Sequence, residues 1–251
     1  MSVTHEVLNQ PPPLTGFTTA DDPVLLEALR RHGAAWAEAE VRELGALAGS
    51  PEAQDWARMA EETPPRLRTH DRYGHRVDEV EFHPAWHHLM TTAVEHGLHA
   101  APWADDRPGA HLVRAAKFYL WSQAEAGHGC PVSMTYAAVP ALRAQPELAA
   151  AYEPLLTART YDPGTRPPLE KAGLIAGMSM TEKQGGSDVR TNTTAAADAG
   201  DGTWLLRGHK WFTSAPMNDL FLVLAQAPGG LSCFLVPRVL PEGTRNTFRI
   251  Q

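Results

Sequence analysis

The hydrophobic period of this chain changes once, near residue 161, and that change decides most of what the chain can fold into. From Asp21 to about Thr157 apolar residues return every three to four positions, the spacing of a helix face. After the stretch "YDPGTRPP", Tyr161 to Pro168, they alternate with a period of two, the spacing of a strand. In "DDPVLLEALRRHGAAWAEAEVRELGALAG" an Asp N-cap and Pro23 precede Leu25, Leu26, Leu29, Trp36, Val41, Leu44 and Leu47, with Gly33 placed to break or bend the helix. Ser50 and Pro51 open another helix, and Pro84 opens "HPAWHHLMTTAVEHG" in the same way. "GAHLVRAAKFYLWSQAEAG" predicts a helix ending on Gly127, and "PVSMTYAAVPALRA" and "PELAAAYEPLLTA" predict two more.

Beyond the loop, "GLIAGMSM", "VRTNTTAAA", "TWLLRGHKWFT", "DLFLVLAQA" and "LSCFLVP" read as strands separated by the turns Ala199-Gly200-Asp201-Gly202 and Pro228-Gly229-Gly230. The fold class expected is α+β: a helical domain over residues 1–165, then an antiparallel β-barrel-like domain over residues 166–251. "NTFRIQ" reads as the start of one more strand with nothing after it to pair with. An open edge of that kind is a pairing hazard, so the chain is expected to stop before its fold does.

The 251 residues carry a net charge of −7 with both signs interspersed, which argues against a nucleic-acid or membrane tail. "LFLVLA" at Leu220 to Ala225 is too short to span a bilayer, and the N-terminus lacks a signal-peptide pattern, so a cytoplasmic location is expected. Cys130 and Cys233 lie far apart without a C-x-x-C, which suits reducing conditions and predicts two buried fillers. His83 and His87 have the i, i+4 spacing of zinc ligands, but Pro84 and Ala85 stand where H-E-x-x-H needs its glutamate, and no metal site is expected. Trp86, Leu89 and Met90 read as core. Arg30, Arg31, Glu38, Glu40, Arg42 and Glu43 read as a solvated helix face.

One segment resists these plain readings. "MTEKQGGSDVRTNTTA", Met180 to Ala195, is polar and centred on Gly-Gly, yet it matches neither G-x-G-x-x-G nor a P-loop. Taken alone, Thr181 to Val189 reads equally as a long polar turn. A second segment, "RGHKWFTSAP" from Arg207 to Pro216, offers Trp211 and Thr213, which strand alternation would place on one face. A flat side chain beside a hydroxyl suits a heteroaromatic ring with polar edges. Thr181 adds a second hydroxyl, and the amides around Gly185 to Ser187 could face a pyrophosphate.

"MTEKQGGSD" followed by "GHKWFTS" resembles the paired motifs with which acyl-CoA dehydrogenase flavoproteins carry FAD on their middle β domain. "NQPPPL" at Asn9 to Leu14, "FHPAWH" at Phe82 to His87, "MTEKQGGSDV" and "GGLSCFLVPR" at Gly229 to Arg238 extend the resemblance to the AidB-like branch, associated with the adaptive response to DNA alkylation. The resemblance covers nearly the whole chain, and Lys183 departs from it where a proline is usual. It implies that Thr181 meets the flavin pyrimidine edge and that Ser187, beside Gly186, meets the phosphate region. Trp211 would lie against the isoalloxazine and Thr213 near N5, while Met178, Met180, Phe212 and Ser214 line the same pocket.

The resemblance also implies oxidation of acyl-CoA thioesters, a homotetramer, and a C-terminal helical domain that supplies the catalytic glutamate and any DNA-binding surface. That domain would follow Gln251, so no residue here is assigned as the catalytic base. Three functions remain open at this point: an FAD-binding acyl-CoA dehydrogenase-like protein, a DNA-protective protein with a structural or auxiliary flavin, and an inactive truncated fragment.

Overall fold

The computed structural model describes Thr4, Asn9, Leu14 and residues 16–251, so most of "NQPPPL" lies outside the described residues. Helix α1 (Pro23–Arg31) begins where Asp22 accepts hydrogen bonds from the Val24 and Leu25 amides at 2.9 and 3.1 Å. Gly33, at φ 73°, turns the chain into α2 (Glu38–Ala48), so the expected break is realised. Ser50 caps α3 (Pro51–Glu62) through the Ala53 amide at 3.1 Å, and His83 caps α4 (Pro84–Glu95) with a ring nitrogen 3.1 Å from the Ala85 amide. Three helices follow: α5 (Ala110–Trp121), α6 (Gly129–Leu142) and α7 (Pro146–Leu156). Helix α5 stops at Trp121 rather than at Gly127. The next residues turn, with Glu125 accepting from the Gly127 and His128 amides.

A hairpin interrupts the helices. Strands β1 (Arg66–His70) and β2 (Arg76–Glu81) pair antiparallel across a turn in which Asp71 accepts from the Tyr73 and His75 amides. Period analysis passes over it because its alternating residues are mostly charged and present no apolar face. The charged row on α1 and α2 is also less simple than expected. Arg30 and Glu38 pair at the surface, but Glu40 reaches inward to the buried Lys117, whose ammonium sits 2.5 Å from it and 3.2 Å from the His96 carbonyl.

The second half forms β3 (Ala176–Ser179), β4 (Ala195–Asp198), β5 (Trp204–Arg207), β6 (Leu220–Ala227) and β7 (Gly230–Pro237). Strand β7 pairs antiparallel with all of β6, from Leu220 opposite Pro237 to Ala227 opposite Gly230. On the other edge of β6 lie β3, parallel over Ala176–Ser179, and then β4, parallel at Ala195 opposite Gln226. Strand β5 returns antiparallel beside β4. The helical-then-sheet succession is therefore as expected, but the sheet is mixed, not antiparallel, and it does not close into a barrel. Alternation reveals that a segment is a strand and says nothing of its partner's direction. Here β3 and β4 act as one strand interrupted by an excursion, and both run with β6.

Two further expectations fail. Residues 246–251 form no strand: the Phe248 ring stacks on Phe221 at 4.6 Å, and Arg76 donates to the Ile250 carbonyl at 3.0 Å. Both cysteines are exposed, Cys130 in the first turn of α6 and Cys233 on β7, which has only β6 as a neighbour among the described residues.

Helices and sheet share a core. Val139, Leu142 and Leu156 pack with Leu174, Ala176, Leu220 and Leu222, and Ile175 joins Trp86, Leu89, Met90 and Trp121. Burying each large aliphatic side chain is worth about 1.5–3 kcal/mol, so this junction fixes where β3 can lie. The Thr135 hydroxyl on α6 sets its height, accepting from the Ala176 amide at 2.9 Å while donating to the Pro131 carbonyl at 2.8 Å.

Candidate functional site

The polar Gly-Gly segment is the excursion between β3 and β4, and the second motif runs back alongside its root. The Trp211 amide donates to the Thr181 carbonyl at 2.9 Å and the Ser214 amide to the Met178 carbonyl at 3.1 Å. Met178, Met180 and Thr181 are thereby brought beside Trp211, Phe212, Thr213 and Ser214. Strand β5 ends at Arg207, so the alternation expected through Thr213 does not hold. Instead Trp211 and Phe212 are both exposed, at 56% and 62%, next to Met180. Thr213 turns inward, its hydroxyl 2.6 Å from that of Ser179. If Ser179 donates in that pair, Thr213 keeps its own proton for an outside acceptor.

The Thr181 hydroxyl finds no hydrogen-bond partner among the described residues, nor do the amides of Gly186 and Ser187. Gly186 passes so close to Thr181 that a Cβ there would lie 2.7 Å from the hydroxyl oxygen. Ser187 is exposed at the far bend of the excursion and is not drawn into the group. Lys183 places its ammonium 5.7 Å from the centre of the Trp211 ring, a cation–π contact that a proline could not make.

The excursion is tied down by residues to which the sequence assigned no role. Asn192 donates to the Met180 carbonyl at 2.8 Å, and Gln226 to the Arg190 and Asn192 carbonyls at 3.0 and 3.1 Å. Glu182, 2% exposed, accepts six hydrogen bonds, from Gln184, Lys210, and the amide and hydroxyl of both Thr193 and Thr194. Burial alone would raise its carboxyl, but the donors from Thr193, Thr194, Lys210 and Gln184 outweigh that and hold it far below the ordinary carboxylate range. Gly208 makes room for this packing, since a Cβ there would meet the Thr194 hydroxyl at 2.2 Å and its Cα at 2.7 Å. The available signal for this pair was opposite charge beside a motif residue in each segment, Glu182 next to Thr181 and Lys210 next to Trp211.

The surface fits a planar ring with polar edges: exposed indole and phenyl groups, the Thr181 hydroxyl, and two amides without partners among the described residues. A cavity of about 560 Å³ lies elsewhere, lined by Phe82, Trp86, His87, Tyr161, Asp219 and others, and includes no residue of either motif's contact surface. His87 there meets the Tyr161 hydroxyl at 3.0 Å, so both candidate zinc ligands have other work. No group of three or more metal-binding side chains occurs among the described residues. No helix there is long and apolar enough to cross a membrane.

Residues 9–163 match the family described as the adaptive response protein AidB N-terminal domain, and residues 177–249 the acyl-CoA dehydrogenase middle domain. AidB of Escherichia coli K12 is 47% identical over 254 residues, covering 99% of this chain and 46% of that protein. Acyl-CoA dehydrogenase family member 11 of Caenorhabditis elegans is 31% identical, covering 86% of this chain and 37% of that protein. The crystal structure of Caenorhabditis elegans ACDH-11 in complex with C11-CoA superposes with a TM-score of 0.78 at 28% identity, covering 98% of this chain and 44% of that one. The chain thus spans less than half the length of these relatives.

Proposed function

Because this chain belongs to the AidB family of acyl-CoA dehydrogenase-like proteins, we propose that it supplies the flavin-facing surface, and one wall of the acyl-thioester cleft, of such a flavoprotein. The observation that carries this is the joining of the two motifs at Thr181–Trp211 and Met178–Ser214, which leaves Trp211 and Phe212 uncovered beside the free Thr181 hydroxyl. FAD, when bound, would accept a hydride from the β-carbon of an acyl thioester.

In this reading Trp211 and Phe212 exclude water from the ring, and the Thr181 hydroxyl meets the pyrimidine edge. Thr213, held by its contact with Ser179, would lie near N5. The Gly186 and Ser187 amides face phosphate oxygens, and Met178, Met180 and Ser214 complete the floor. The sheet portion that does this begins at about residue 166, after the helical portion ending near 165. Acyl-CoA is the proposed small-molecule partner, and two unpaired cysteines favour a cytoplasmic setting.

The test is FAD titration of this chain by tryptophan quenching and equilibrium dialysis. One exposed surface should give a dissociation constant on the order of 0.1 mM. The double substitution Thr181→Ala with Trp211→Ala should abolish binding. Unchanged affinity in that variant would refute the assignment.

A further inference from the structure

We propose that Glu182 is the positioning residue of the flavin surface, acting through Lys210 and the Thr193–Thr194 pair; this rests on the reading that the two motifs face a flavin. Its Oε1 accepts from the Thr194 amide at 3.0 Å, the Thr194 hydroxyl at 2.6 Å and Lys210 at 2.9 Å. Its Oε2 accepts from the Thr193 amide at 2.7 Å, the Thr193 hydroxyl at 3.0 Å and Gln184 at 2.8 Å.

These donors come from both motifs: Gln184, Thr193 and Thr194 from the excursion, the last two just before β4 begins, and Lys210 from the second motif. Two carboxylate oxygens offer about four lone-pair sites, so six donors saturate the group. No neutral side chain of that length can replace it, because an amide would turn its own N–H groups toward donors. Lys210 is 8% exposed, and its only recorded anionic partner among the described residues is Glu182. Its other constraint is sequence: it precedes Trp211.

The geometry therefore links ring orientation to the carboxylate. Lys210, held inward by Glu182, anchors the residue before Trp211, and Thr181, adjacent to Glu182, holds the Trp211 amide through its carbonyl. Gly208 belongs to the same device, since only a residue without a side chain lets Thr194, just before β4, approach so closely. The carboxylate touches no ligand face. It fixes the separation and tilt of the residues that do, which is how a polar excursion of this length becomes a preformed cradle.

The experiment uses the 251-residue chain, with FAD as the probe, in five forms: wild type, Glu182→Gln, Lys210→Met, the double variant, and Lys210→Arg. Affinity is read by tryptophan quenching, and the Thr181, Trp211 and Thr213 amides by ¹H–¹⁵N correlation spectra. Glu182→Gln and Lys210→Met should each weaken FAD at least about tenfold and shift all three amides. The double variant should be little worse than Glu182→Gln, and Lys210→Arg should recover most of the affinity. If Glu182→Gln fails to fold, the contrast between Lys210→Met and Lys210→Arg decides. Unchanged affinity and amides in the folded variants, or strict additivity, overturns the proposal. Failure of the flavin reading appears separately, as no FAD binding by wild type. In that event the amide shifts still support positioning if they move with Glu182→Gln and refute it if they do not.

Discussion

Replacing Lys171 by Met should destabilise the chain more than any surface change, because it strands a buried carboxylate. The Lys171 and Asp219 side chains are 1% and 9% exposed and meet at 2.5 Å. Lys171 also donates to the Gly164 carbonyl at 3.0 Å, and Asp219 accepts from the Ile175 amide at 3.0 Å, so the pair ties the connecting loop to the roots of β3 and β6. Burial already raises the Asp219 carboxyl above its ordinary value despite Lys171. Removing one partner of a buried pair typically costs about 3–5 kcal/mol. With a urea dependence near the upper end of the usual range, about 3 kcal/mol per molar, the unfolding midpoint should fall by about 1–1.7 M.

The pH dependence has a definite sign. Without Lys171 the folded-state carboxyl binds a proton more tightly than in the unfolded chain, so the deficit should shrink as the medium is acidified towards the unfolded-state value. Adding Asp219→Leu should recover part of the loss but not all, since the Ile175 amide then lacks its acceptor. Urea melts at neutral and mildly acidic pH test this. A midpoint shift under about 0.3 M, or a deficit that grows with acid, would refute the reasoning.

Gly208→Ala should cost at least about 2 kcal/mol, because its Cβ would meet Thr194 backbone as well as its hydroxyl; thermal and urea melts measure it, and a neutral result would mean the strand shifts freely. His99, fully buried and donating to the Ala158 carbonyl at 2.9 Å, is pushed down by burial from 6.5 to about 4. The unfolded chain therefore gains a proton first on acidification. Stability should be lost between pH 6.5 and about 4 by roughly 3 kcal/mol, and His99→Asn should flatten that slope. An equally steep slope in the variant would show that other groups set the acid limb.

The helices were legible because capping chemistry and apolar stripes are local: Asp22–Pro23, Ser50–Pro51 and Pro84 each mark a start found in the structure. The hairpin at 66–81 was not, because charged alternation on a surface carries no burial signal. Strand positions were legible, but the mixed direction of the sheet depends on β3 and β4 sharing one edge of β6, a pairing between residues far apart in sequence. Among the residues of the proposed site, the motifs pointed to Thr181, Trp211 and Thr213, whereas Ser179, Glu182 and Lys210 make contacts across the fold that no local pattern announces. The exposure of Cys130 and Cys233 was missed because composition alone places cysteine inside.

The central claim is that the two joined motifs form a flavin surface, and a chemical-shift map of this chain titrated with FAD tests it most directly. The account expects the largest shifts at Met178, Met180, Thr181, Gly186 and Ser187 and at Trp211 to Ser214, including the Trp211 indole N–H. Shifts confined to the cavity beside His87 and Tyr161, or none with FAD at about 1 mM, would contradict it.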